Sequence, residues 1–321
     1  MEALVFADGK LVFTRSHPEP RLGEDEVLVK VELAGICSTD LEIIKGYMDF
    51  EGVLGHEFVG TVVKGPAKFK GKRVVGEINC VCGRCDMCQS GLSNHCRRRE
   101  VVGIEGRDGA FAEYVAIPER NVHCLPDTVN NESAIFVEPV ASAIQIGQQV
   151  PLEHRDKVIV VGDGRLGLLA VQVLAGKGAK GNVVLLGRHE DKIIFAEKRG
   201  IQGIILDDML IKSEWDVVVD CSGSAAGFAT ACRLTRPRGT LVLKSTWVAD
   251  QPVDLTTLVI NEIKLIGSRC GPFPQAINSL AAEKVITNGL ITSRFKLSQG
   301  VEAMERARDS RQIKVVLEMN A

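Results

Sequence analysis

Five of the ten cysteines in this 321-residue chain crowd into one stretch, NCVCGRCDMCQSGLSNHC at 79–96. Cys82, Cys85, Cys88 and Cys96 give the spacing C-x2-C-x2-C-x7-C. Four thiolates can surround one Zn2+ tetrahedrally and leave no position for water or substrate, so a metal held this way is structural. An iron–sulfur cluster is the other occupant that such thiols allow. Cys80 is left over and reads as a small buried hydrophobe.

A second set is dispersed: Cys37-Ser38-Thr39-Asp40, then Gly55-His56-Glu57, then Glu138-Pro139. Singly, each has an ordinary reading as core or surface. Together they offer one sulfur, one nitrogen and one or two oxygens. A mixed, incomplete set suits a catalytic zinc that keeps a place for substrate.

The third constellation is VIVVGDGRLGLLA at 158–170, where Gly162, Gly164 and Gly167 form G-x-G-x-x-G. It follows a short apolar strand and opens an apolar helix. There the first glycine makes the turn, the second lets backbone approach a pyrophosphate, and the third lets helix and strand pack closely. The helix start offers N–H groups and positive dipole to phosphate. Gly162, Gly164, Arg165, Leu166 and Gly167 are therefore candidate coenzyme contacts. About 20 residues on, the end of the second strand selects the coenzyme. The sequence there is LLGRHEDK, with Gly187 where an NAD enzyme usually carries Asp or Glu. The missing carboxylate leaves room for a 2′-phosphate, and Arg188 follows to pair with it, with His189 and Lys192 to assist. This favours NADP(H) over NAD(H), and Gly187→Asp is expected to shift the preference towards NAD. The other reading has Arg188 stacking on adenine while NAD binds.

The elements that must position these residues change in texture along the chain. Residues 1–125 are β-rich: an N-terminal strand that breaks at Asp8-Gly9, then EVLVKVEL (26–33), FVGTVVK (58–64) and RVVGEI (73–78). Asn131, Glu132 and Ser133 can cap a helix running towards Gln149, which Pro139 would kink or divide. Apolar strands then alternate with helical stretches from KVIVV (157–161) to GTLVLK (239–244), with a last strand inside 261–271. That pattern implies a parallel sheet covered on both faces. The segment from 272 to 321 has no place in that sheet and reads as a return to the first domain.

Composition bounds the class. Hydrophobic content of 45% and charged content of 25% are ordinary globular values, and the net charge of −2 points to no nucleic-acid or membrane affinity. The one basic run, Arg97-Arg98-Arg99, is followed at once by Glu100 and reads as a solvated patch. The N-terminus lacks the regions of a signal peptide, and no apolar run approaches the roughly 18 residues of a membrane helix. A cytoplasmic protein is expected, where clustered thiols serve metal or catalysis rather than disulfides.

With C-x-T-D at 37–40, GHE at 55–57, the four-cysteine lobe, Glu138-Pro139 and the glycine turn in this order, the chain resembles the zinc-dependent medium-chain dehydrogenase/reductase superfamily over its whole length. The resemblance implies an α/β protein in three parts. They are a GroES-like β-rich catalytic domain (1–139, zinc lobe about 80–97), a Rossmann coenzyme domain (140–271) and a return to the catalytic domain (272–321), with the active site in the cleft between domains. It implies two zinc per chain. Cys37, His56 and Glu138 would ligate the catalytic one, with Glu57 as an exchangeable ligand. Thr39 would bond the substrate oxygen and pass its proton outward, and Asp40 would orient His56. It implies zinc acting as a Lewis acid on the oxygen of a small alcohol, polyol or sugar-like substrate, with hydride passing to or from the nicotinamide. A homodimer or homotetramer through the last Rossmann strands is also implied. The usual relay histidine falls near Glu42 here. GSRCGPF (267–273) resembles a branch of the superfamily with no substrate to carry over; Arg269 and Cys270 would line the cleft, a hinge or a dimer contact. A regulatory or structural member that binds NADP(H) and zinc without turnover would carry many of the same features.

Overall fold

The computed structural model describes residues 1–176, 182–208, 210–246 and 254–319. The chain forms two compact units, Met1–Glu138 together with Thr287–Ala321, and Pro139–Ile286. The return to the first unit thus begins at Thr287 rather than at residue 272. The amphipathic helix Phe273–Ala281 buries Phe273, Ala276, Ile277 and Leu280 and belongs to the second unit.

The first unit opens with a hairpin, Ala3–Ala7 against Lys10–Thr14. Its two turn residues, Asp8 and Gly9, both have positive φ (50° and 69°), as a two-residue turn between twisted strands requires. Its larger sheet runs in the order Val122–Cys124, Arg73–Gly76, Glu57–Lys64, Glu26–Gly35, Lys314–Glu318, Ile291–Lys296, with Tyr114–Pro118 also paired to Glu26–Gly35. Val27, Val29, Val31, Val59, Val62 and Val316 are buried in it. The C-terminal strand is antiparallel to Glu26–Gly35, with Val316 opposite Gly35, and Gly35 also faces Glu57 on its other side. This pairing brings the last strand beside the residues that follow Gly35.

The second unit is a six-stranded parallel sheet in the order Gln202–Ile205, Val183–Gly187, Val158–Val161, Trp215–Asp220, Thr235–Leu243, Lys264–Gly267. This is the doubly wound dinucleotide-binding order, with the strand that precedes the glycine turn at the topological switch point. Ile159, Val184, Val218 and Leu241 form its core with Phe228 and Leu234.

The helix expected across 131–149 is two helices, Asn131–Ala134 and Val137–Gln149. Asn130 is the cap, its side chain accepting from the Ser133 N–H at 2.8 Å. The break before Val137 is the division expected of Pro139: a helix running through would need a Pro139 N–H bond to the Ile135 carbonyl, so the second helix starts afresh with Pro139 in its first turn, where a missing N–H breaks no intrahelical bond. Among the described residues, no helix is long and apolar enough to cross a membrane.

Candidate zinc and coenzyme sites

In the cysteine lobe, the Sγ atoms of Cys82, Cys85, Cys88 and Cys96 all lie within 4.8 Å of one another. Cys85 is 3.5 Å from Cys88 and 3.7 Å from Cys96, and Cys96 is 3.5 Å from Cys82. Tetrahedral thiolates at about 2.3 Å from zinc stand ~3.8 Å apart, so the four sulfurs fit that metal. Backbone N–H groups are aimed at the sulfurs: those of Cys82 and Arg98 both lie 3.4 Å from the Cys96 sulfur. The N–H of Arg84, helped by that of Cys85, holds the Cys82 thiol down to about 6, and the N–H of Arg97 lowers Cys85. Desolvation and the neighbouring sulfurs push the Cys88 thiol up to about 12, so a cation is what would let all four sulfurs be thiolates together. Cys80 lies outside this group, 6% exposed, and desolvation pushes its thiol up to about 11. The basic run is spent on local pairs, Arg97 with Asp86 and Arg99 with Glu105.

Cys37, His56 and Glu57 form the second group of ligand atoms within 4.8 Å of one another. Cys37 ends the turn after Glu26–Gly35 and precedes the helix Ser38–Ile43, while His56 and Glu57 open the next strand. His56 and Glu57 are buried, and Cys37 is half-buried. Asp40 is 0% exposed. Its Oδ2 accepts from the Cys37 N–H at 2.8 Å, and its Oδ1 faces His56 Nδ1 at 3.3 Å. Burial opposes charge on His56, but the Asp40 carboxylate and the Cys37 sulfur outweigh it and raise the imidazole pKa well above its usual value. The Nδ1–Oδ1 contact lacks hydrogen-bond geometry, leaving both atoms orphaned in the interior. An anionic, buried S/N/O set with an unsatisfied imidazole is suited to a divalent metal. Thr39 Oγ1 lies 3.7 Å from the Cys37 sulfur.

Glu138 does not join this group. It is half-buried in the first turn of Val137–Gln149, whereas Glu57 shares a strand start with His56 and is delivered by the same backbone. The acidic member brought to Cys37 and His56 is therefore Glu57. Glu42, at the position of the usual relay histidine, accepts from Lys45 Nζ at 2.8 Å.

Sequence reading missed Lys314. Its ammonium is fully buried against the Glu57 carboxylate and reaches the carbonyl of Ile36 at 3.4 Å. Gly35 makes the space, since a Cβ there would run into the Lys314 side chain. Burial pushes Lys314 down to about 8 against the pull of Cys37 and Asp40. The available signal was a lysine opening the apolar run KVVL.

The glycine turn has the shape its pattern implies. Gly162 has φ 109°, and a Cβ there would meet the Cys221 carbonyl at 2.9 Å. A Cβ on Gly164 would meet nothing within 4 Å, which leaves an open approach for a phosphate. A Cβ on Gly167 would overlap the Gly162 carbonyl oxygen, so helix and turn pack as closely as backbone allows. Arg165 and Leu166 are half-buried in the first helical turn. These features fit a dinucleotide. At the end of Val183–Gly187, Arg188 is exposed, while Lys192 is buried, only 2% exposed. His189 is turned to Asp163, the second residue that sequence reading passed over, with its Nδ1 3.0 Å from Oδ2.

Fold and site together define a two-domain, metal-ligating nicotinamide oxidoreductase. Residues 23–127 match the alcohol dehydrogenase GroES-like domain and residues 166–283 the zinc-binding dehydrogenase domain. D-arabitol-phosphate dehydrogenase of Enterococcus avium is 33% identical over 94% of this chain and 92% of its own. A zinc-binding dehydrogenase from Sinorhizobium meliloti 1021, solved with NADP bound, superposes with a TM-score of 0.87 at 29% identity, covering 99% of this chain and 98% of that one. An alcohol dehydrogenase from Escherichia coli CFT073, solved with NADH, gives 0.86 at 27% identity over 99% of both chains. The chain belongs to the zinc-dependent medium-chain dehydrogenase/reductase superfamily, as an oxidoreductase of the alcohol dehydrogenase type.

Proposed function

We propose that the protein interconverts a small alcohol, polyol or sugar-like substrate and its carbonyl compound, with NADP(H) preferred over NAD(H) and two zinc per chain. One observation carries the reading: Cys37, His56 and Glu57 converge as a mixed S/N/O set, oriented by the buried Asp40 and flanked by the Thr39 hydroxyl. The similarity to a dehydrogenase of a phosphorylated polyol supports the substrate class. The exposed Arg188 beside a side-chain-free strand end supports NADP(H).

When bound, zinc supplies Lewis acidity at the substrate oxygen and the nicotinamide supplies the hydride acceptor. Asp40 holds the Cys37 backbone by a hydrogen bond and sets its other carboxylate oxygen against His56 Nδ1, so the ligands are organised before substrate arrives. Thr39 offers a hydroxyl that would hydrogen-bond the substrate oxygen and relay its proton outward by giving up its own. Lys314 compensates the Glu57 charge, which leaves that carboxylate divided between an ammonium and a metal. Ten free thiols favour the reducing cytoplasm. A homodimer or homotetramer is supported by the exposed Val259, Ile260 and Leu265 beside the edge strand Lys264–Gly267.

The test is elemental analysis joined to a screen of alcohols and polyols with both coenzymes. Two zinc per chain and turnover are expected, and Cys37→Ser should lose one zinc and all turnover while keeping its circular dichroism. A Cys37→Ser protein with both metals and full activity would end the assignment.

A further inference from the structure

The end of the second Rossmann strand carries no side chain of its own, but its space is filled. A Cβ on Gly187 would stand 2.5 Å from Asp163 Oδ2, 2.6 Å from its Cβ and 2.8 Å from its Cγ. Asp163 comes from inside the glycine turn, just after the neighbouring strand Val158–Val161. Its carboxylate therefore occupies the place that a strand-end Asp or Glu would take in an NAD enzyme.

That carboxylate is committed inside the protein. Oδ2 accepts from the N–H of Arg188 at 2.7 Å, the N–H of His189 at 2.8 Å and His189 Nδ1 at 3.0 Å, and Oδ1 lies 3.1 Å from the same Nδ1. A carboxylate only accepts, so Nδ1 carries the proton. The Asp163 side chain is 9% exposed, and despite the desolvation these donors keep its pKa below the usual carboxylate value. The oxygen that faces the strand end already has three donors and no lone pair left for a ribose 2′-hydroxyl. Arg188, whose backbone is held by this bond, points its guanidinium to solvent with no hydrogen bond or ion pair among the described residues.

We propose that Asp163 sets the coenzyme preference. It bars any side chain at position 187, spends its own charge on the loop backbone and His189, and holds Arg188 ready for a 2′-phosphate. This rests on the NADP(H) reading above. It also revises what Gly187→Asp does: a new carboxylate would collide with Asp163, so the substitution alone cannot install NAD binding. Conversion requires position 163 to be emptied at the same time.

The test is a double-substitution cycle on the zinc-loaded full chain: wild type, Asp163→Gly, Gly187→Asp and both together. Calorimetry gives dissociation constants for adenosine 2′,5′-bisphosphate and 5′-AMP, and melting temperatures are recorded alongside. Wild type should bind the bisphosphate at least about tenfold tighter, the scale of a charge-assisted guanidinium–phosphate contact. Gly187→Asp should lose affinity for both nucleotides and melt lower. The double variant should recover 5′-AMP binding and reverse the preference. If Gly187→Asp does not fold, the collision is supported and Asp163→Gly decides, since it should weaken the bisphosphate alone. A Gly187→Asp protein that reverses the preference and melts like wild type overturns the role of Asp163, as do additive effects of the two substitutions. A wild type that prefers 5′-AMP overturns the NADP(H) reading, whatever the coupling between 163 and 187.

Discussion

Lys314 and Glu57, far apart in the sequence, form a fully buried ion pair inside the first unit. Glu57 is also one of the three ligand atoms of the candidate catalytic zinc site. A carboxylate with two cationic claimants is a different ligand from one aimed at metal alone. The lysine decides how much of its charge is left to share.

Removing one partner of a buried pair strands the other charge, which typically costs about 3–5 kcal/mol. Lys314→Met should therefore lower unfolding stability by that order in metal-free protein. The loss should be smaller when zinc is present, because the metal then answers Glu57. Urea unfolding with and without a chelator measures both. Equal losses in the two conditions would show that Glu57 does not turn to the metal.

Asp40 should matter to one zinc and not the other. Partners that orient a ligating histidine are worth roughly 10- to 100-fold in metal affinity. Asp40→Asn should weaken one of two zinc equivalents by that factor in a chelator competition and leave the second untouched. Cys88→Ser is the complement, losing the lobe zinc and keeping the other. If either variant weakens both metals equally, the two sites are not independent.

Asp163 gives a pH signature. Its folded-state pKa lies below the unfolded value, held there by the Arg188 and His189 donors against desolvation. The stability it contributes is complete above about pH 4, the unfolded carboxylate value, and is lost as pH falls through the depressed folded value. The stability difference between wild type and Asp163→Asn should therefore persist at pH 5 and close below about pH 4. A difference that grows as pH falls below about 4 would contradict the bonding described for this carboxylate.

Several features were legible before any fold was known. The zinc lobe and the glycine turn are written in spacings of two to seven residues, and such short covalent tethers leave few ways to arrange their atoms. The Rossmann strands were legible because burial on both faces demands continuous apolar runs such as Val158–Val161 and Val183–Gly187. The division of the helix near Pro139 was legible as well, because a helix cannot run through a proline without losing the bond to the carbonyl four residues back.

By itself, then, the sequence determined the fold class, the two candidate metal clusters in outline and the presence of a glycine turn of the dinucleotide-binding type. Only the tertiary structure shows that Glu57 lies with Cys37 and His56, that Lys314 is buried against Glu57, and that Asp163 fills the space beside Gly187. Each of these joins residues from separate elements. Local spacing specifies what a short stretch can do, but which carboxylate reaches a metal, or which side chain fills a glycine's empty side, is fixed by strand register and close packing.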